Sequence, residues 1–156
     1  MGAESVSKVA AAFAGEIREA RPADYAQMAE LARQLGYPSS AGDIAKRLAG
    51  MSATGEHIVF VAQMADGVIA GWLGAFVYRA VEADARIEIS GLVVDERFRS
   101  QAVGRRLLER AEAWAREKGF SATGLRSNVI RDRAHAFYER QGYEHTKTQK
   151  SFRKIL

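Results

Sequence analysis

The stretch from Glu88 to Leu108, EISGLVVDERFRSQAVGRRLL, constrains the fold more than any other part of this chain. It passes from an apolar, strand-like run through a charged turn into a small-residue crossing, Arg99-Ser-Gln-Ala-Val-Gly104, and then into a basic amphipathic helix. A strand that feeds a helix through such a loop aims free backbone N–H groups at one spot. The helix dipole makes that spot attractive to anions. The stretch therefore predicts an α/β fold with an anion cradle at the mouth of a helix. Tight strand-to-helix packing would also call for small residues here, so the order of the surrounding elements has to discriminate.

Upstream, Glu16 to Ala20 alternates like a first strand, and Arg21-Pro22-Ala23-Asp24 offers a helix start. Met28, Leu31, Ala32 and Leu35 recur on one face and predict a helix over Tyr25 to Leu35, broken at Gly36. A second helix is expected from Ala41 to Leu48, ending near Gly50. His57 to Gln63 is a β-branched strand, Asp66-Gly67 a hairpin turn, and Val68 to Tyr78 the returning strand, with two glycines that suit a bulge or close packing.

Ala85 to Val94 is the next strand. The helix after the crossing, Val103 to Lys118, turns Val103, Leu107, Leu108, Ala111, Trp114 and Ala115 inward and stops at Gly119. Ser121 to Arg126 reads as a short strand, Arg131 to Gln141 as a helix, and Tyr143 to Leu156 as one or two final strands. The result is a mixed α/β order with an antiparallel front half and a βαβ crossover.

Length and composition narrow the classes. A chain of 156 residues with 47% apolar and 27% charged residues has the profile of one globular domain. It has no cysteine, which excludes disulfides, thiolate metal sites and an acyl-cysteine intermediate. The net charge of +4 gathers as arginine between Arg97 and Arg140, suiting a local anionic ligand better than a nucleic-acid track. No apolar run approaches the roughly 20 residues of a membrane span. Residues 1–15, alanine-rich with one lysine, read as a frayed tail or short extra helix ahead of a domain over residues 16–156, with a cytoplasmic location expected. His57, His135 and His145 lack metal-ligand spacing, so no metal is expected.

The late position of the loop, after an antiparallel meander, disfavours a dinucleotide fold, and a Walker loop would need Gly-Lys-Ser/Thr. Two ordered blocks, Arg99-Ser-Gln-Ala102-Val-Gly104 and Asn128 with Arg133-Ala-His-Ala-Phe-Tyr138-Glu-Arg-Gln-Gly142-Tyr143, resemble the GNAT superfamily of N-acetyltransferases. The family signature is Arg/Gln-x-x-Gly-x-Gly/Ala at the junction of the fourth strand and third helix. The resemblance covers Ile17 to Leu156. It implies a mixed α/β (α+β) fold, with a centrally splayed sheet of six to seven strands flanked by about four helices. Ala102 replaces the first signature glycine. Alanine, the smallest replacement, is expected to fit there without a positive φ.

The family pattern implies acetyl-CoA as co-substrate. Backbone N–H groups of Gln101, Ala102, Val103, Gly104 and Arg105 would hold its pyrophosphate, with Arg99 and Ser100 beside them. Leu92, Val93 and Val94 would meet the pantetheine arm through their backbone while their side chains serve the core. Asn128 would bond the same arm or simply form a turn. Direct transfer needs a neutral amine and a protonated or stabilised departing thiolate. Tyr138 stands where family members carry the general acid, though it also suits plain packing. Glu88, eleven positions before Arg99, stands where histone-acetylating relatives carry a general-base glutamate. Glu88 also reads as an edge residue paired with Arg86 or another arginine, or as a contact to the substrate ammonium.

On the acceptor side, Tyr37 in the connection between the first two helices, Glu30, Tyr78 and Glu88 are the candidates for meeting an amine. The implied reaction moves an acetyl group from acetyl-CoA directly to a primary amine of a small-molecule or lysine-like acceptor. A second copy of the chain is the other expected partner, with neither nucleic acid nor membrane. An inert domain that binds acyl-CoA and regulates is the alternative.

Overall fold

The computed structural model describes residues 13–156, so most of the expected tail lies outside the described residues. Five strands form one sheet in chain order: β1 (Gly15–Glu19), β2 (His57–Met64), β3 (Ile69–Tyr78), β4 (Arg86–Val94) and β5 (Thr123–Leu125). The first four are antiparallel neighbours, and β5 runs parallel to β4. The helices are α1 (Tyr25–Leu35), α2 (Ala41–Ser52), α3 (Val103–Glu117) and α4 (Asp132–Arg140). None of the described helices is long and apolar enough to cross a membrane.

Local chemistry sets the boundaries. Ser40 and Asp43 form a reciprocal cap at the start of α2, the Ser40 Oγ accepting from the Asp43 N–H at 3.0 Å and the Asp43 carboxylate from the Ser40 N–H at 2.9 Å. This helix runs to Ser52 rather than ending near Gly50, because Gly55, with φ +66°, supplies the left-handed turn beyond it. Gly36 (φ +97°) ends α1 as its sequence position predicts.

Two apolar layers sandwich the sheet. The expected inward face of α3, from Val103 to Ala115, is buried against Phe60, Leu73, Ile87, Ile89 and Leu92. Each such leucine or isoleucine contributes about 1.5–3 kcal/mol by leaving water. On the other face, Met28 and Leu31 of α1 and Ile44 of α2 cover Val61, Ile69 and Val93.

The middle of β4 is irregular. Register steps from Gly74↔Gly91 to Ala75↔Ile89, leaving Ser90 as an extra, bulged residue. Gly74 leaves room opposite it, since a Cβ there would lie 2.7 Å from the Ser90 Oγ and push that hydroxyl aside. The bulge re-phases the strand, so that Glu88 shares a face with Val93 rather than with Leu92.

Among the described residues the sheet has five strands, not six to seven. Residues 143–156 pair with no strand and are exposed almost throughout, correcting the one or two final strands expected there. Tyr143 packs against the core, while Phe152, Ile155 and Leu156 beyond it stay exposed beside a β5 only three residues long.

Candidate active site

The site is built where β4 and β5 part. Their pairing covers only Ile87, Glu88 and Ile89. Among the described residues, β4 from Ser90 to Val94 has a strand neighbour on its β3 side alone, so alternate N–H and C=O groups of Gly91, Leu92, Val93 and Val94 face the gap without a described strand partner. This open edge leads directly to the loop before α3.

Asp95 fixes the start of that loop. Its N–H bonds the Ala70 carbonyl at 2.8 Å, and its carboxylate accepts from the Arg97 N–H at 2.9 Å and pairs with the Arg97 guanidinium at 3.0 Å. The Arg97 contacts hold this buried carboxyl below the usual carboxylate range. Ser100 (φ +66°) and Ala102 (φ +63°) are both left-handed, curling the backbone into a concave loop that ends at the first turn of α3. Ala102 therefore does occupy the positive-φ region, contrary to the expectation that alanine would avoid it.

Ala102 offers no side-chain cap, and the first turn of α3 holds no acidic residue, so its N–H groups remain open to an external anion. Arg99 is exposed and makes no ion pair among the described residues. Gly104 has a packing reason as well: a Cβ there would meet Phe137 of α4 at 3.1 Å. Left-handed alanine costs about 1–2 kcal/mol, part of which glycine returns as unfolded-chain entropy. Ala102→Gly is therefore expected to stabilise the fold by about 0.5–1 kcal/mol, raising Tm by about 2 °C in a thermal melt.

Below the bulge, Glu88 is buried and anchored. Its Oε2 accepts from Arg86 Nε at 3.0 Å, and its Oε1 lies 3.6 Å from Arg126 Nε. The Arg86 guanidinium stacks on Tyr78 at 4.2 Å from the ring centroid, with Arg126 at 6.0 Å. The expected pairing with Arg86 or another arginine is thus present with both. The pairing also explains Gly124, paired to Glu88 across β4 and β5, since a Cβ there would lie 2.8 Å from Glu88 Oε2 and 3.0 Å from Arg86 Nε. Gly124→Ala is expected to destabilise by about 1–3 kcal/mol through overpacking, read as a lower Tm.

Across the gap, Tyr138 on α4 is half-buried against Phe137 and Tyr143, with ring centroids at 5.3 and 6.1 Å. Burial raises its phenol pKa, outweighing Arg131, so it keeps its proton at neutral pH. Asn128 Oδ1 accepts from the Ile130 N–H at 3.1 Å, so the turn-forming reading holds, while the side-chain NH2 stays uncommitted. The Ser127 hydroxyl beside it is shielded from water with no partner among the described residues.

Glu30 and Tyr37 do not join this cluster. Glu30 is exposed and ion-paired with Arg33 on its own helix, and Gln34 on the next turn accepts from the Glu96 N–H at 3.3 Å, which sets this part of α1 beside the end of β4 far from Glu88. Tyr37 is 71% exposed. Arg126, Gly124 and Ser127 were missed as site residues. The parallel register of β5 on β4 brings them in, and no local sequence pattern encodes that register.

A sheet that parts beside an open helix N-terminus offers a strand edge to an extended ligand and a seat to an anion. The profile of the acetyltransferase (GNAT) family matches residues 25–143. The chain belongs to that family and is an acetyltransferase. It is 33% identical over 149 residues to an aminoglycoside N(6')-acetyltransferase type 1 of Stenotrophomonas maltophilia, covering 93% of this chain and 96% of that one. A shorter match, 46% identical over 57 residues, is to an aminoalkylphosphonate N-acetyltransferase of Salmonella typhimurium, covering 36% and 37% of the two chains. Among solved structures, an aminoglycoside N-acetyltransferase in complex with CoA superposes with a TM-score of 0.79 at 20% identity, covering 90% of this chain and 95% of that one.

Proposed function

We propose that the chain transfers an acetyl group from acetyl-CoA directly to the primary amine of a small molecule. The observation that carries this reading is the unpaired edge of β4 from Ser90 to Val94, running into an α3 N-terminus free of acidic side chains. The backbone N–H groups of Gln101 to Arg105 would hold the pyrophosphate, with Arg99 and Ser100 at its flank. Leu92, Val93 and Val94 would complete their backbone hydrogen bonds on the pantetheine arm. The Asn128 NH2 and Ser127 hydroxyl would bond the same arm, ending the isolation of the latter.

Tyr138 would donate its phenolic proton to the departing sulfur, a role for which a raised pKa keeps it charged with that proton. Glu88, with Oε2 engaged by Arg86, would take the amine proton at Oε1 through a water. The face around it carries Tyr78, Arg86 and Arg126, two guanidiniums against one carboxylate. That balance favours an acceptor bearing an anionic group near its amine, such as an amino acid or aminophosphonate, over a polycation.

Thiol release from acetyl-CoA, measured with a panel of aminoglycosides, aminoalkylphosphonates, amino acids and lysine peptides, tests the proposal. Amine-dependent release is expected, fastest with the acidic amines. Acetyl-CoA binding with no release for any amine would instead support the inert, acyl-CoA-binding reading.

A further inference from the structure

Glu88 is engaged unequally by its two cations. Its Oε2 accepts from Arg86 Nε at 3.0 Å, and the Arg86 side chain, stacked on Tyr78, is 29% exposed. Its Oε1 makes no hydrogen bond among the described residues. The Arg126 Nε approaches it to 3.6 Å, a charge contact too long to be a hydrogen bond. The Arg126 side chain is 71% exposed, and its guanidinium sits 6.0 Å from the Tyr78 ring, at the outer limit for such a contact. One arginine is built in, and the other is loosely held.

Position sets what Arg126 can reach. It follows β5 two residues after Gly124, so it emerges on the face where Gly124 is paired with Glu88. Tyr78 and Arg86 belong to that face too, since they pair with each other and Arg86 lies two residues before Glu88 on β4. Phe76, paired with Glu88 and stacked on His57 at 5.7 Å, extends it as a flat aromatic wall. The Glu88 side chain is only 5% exposed, so Arg126 stands on the solvent side of Oε1.

We infer that Arg126 is the acceptor-recognition residue, leaving Oε1 of Glu88 to grip a carboxylate or phosphonate borne one or two carbons from the acceptor's amine. The inference deepens the acceptor reading given above and rests on it. An anion offers the guanidinium a bidentate partner in place of one 3.6 Å contact. Arg86 keeps Glu88 compensated when Arg126 turns away. The same movement uncovers Oε1 beside the arriving amine. Anion and proton acceptor then lie at the two ends of one short molecule. Amino acids with an α- or β-amine and short aminophosphonates fit that span, whereas an amine at the end of a long chain overshoots it. A polycation gives Arg126 no partner to leave for, so Oε1 stays covered.

Two readouts test the assignment. Calorimetric titration with 2-aminoethylphosphonate reads the anion site without turnover, and thiol release with that amine against ethylamine reads selectivity. Arg126→Gln is expected to weaken 2-aminoethylphosphonate binding at least about tenfold and to cut its kcat/KM advantage over ethylamine about thirtyfold. Arg126→Lys keeps the charge but loses the fork, and is expected to restore part of both. The side chain is mostly exposed, so both variants should melt within about 2 °C of the parent. No binding by the parent, or equal binding by parent and Arg126→Gln, would overturn the inference whether or not thiol is released. So would an undiminished preference of Arg126→Gln for the anionic amine. Arg126-dependent binding with no thiol release for any amine would uphold the anion site and overturn the acceptor reading beneath it.

Discussion

Tyr138→Phe is expected to lower kcat by about a hundredfold while acetyl-CoA affinity stays within a factor of about two. Phenylalanine keeps the ring that packs between Phe137 and Tyr143, so the substitution deletes only the hydroxyl. The Tyr138 hydroxyl has no hydrogen-bond partner among the described residues, and the partly buried packing of α4 survives the substitution. The variant therefore separates proton donation from structure. Steady-state thiol release gives kcat, and calorimetric titration with acetyl-CoA gives the affinity. Losses of equal size in both would reassign Tyr138 to binding.

Glu88→Gln carries the second large effect, and it has two components that different measurements separate. Glutamine can still accept from Arg86 through its amide oxygen but cannot take a proton. A base role predicts a fall in kcat/KM of about a hundredfold at neutral pH and loss of the acidic limb of the pH–rate profile. Separately, the half-buried Arg86 loses its countercharge, costing about 1–3 kcal/mol of stability. A lower Tm with an unchanged pH profile would leave Glu88 as the anchor of Arg86 and Arg126 alone.

The parts of the fold that were legible in the sequence are those with strong periodicity. The inward face of α3 follows from apolar residues recurring every three to four positions, and all six expected residues are buried. The Asp66-Gly67 turn was equally plain, with Gly67 at φ +88°. The parting of β4 and β5 was legible only through the resemblance of the Arg99–Gly104 and Asn128–Tyr143 blocks to a known family.

What was not legible depends on long-range geometry. Alanine gives no local sign of a left-handed backbone, so the conformation of Ala102 had to come from the loop that encloses it. The approach of Arg126 to Glu88 depends on a three-residue parallel register that neither strand specifies alone. Glu30 was expected to meet the acceptor amine, but helical periodicity does not say which end of β4 a residue of α1 lies beside. Residues 143–156 have strand-like composition, but composition does not tell whether the fold offers them a strand to pair with.

Amide hydrogen exchange with and without acetyl-CoA tests the central claim, that the β4–β5 gap and the α3 N-terminus together form the acetyl-CoA seat. Saturating acetyl-CoA should slow exchange at gap-facing amides among Gly91 to Val94 and across Gln101 to Arg105, and leave the amides of α2 unaffected. No protection at millimolar acetyl-CoA, or protection confined to other elements, would contradict the account.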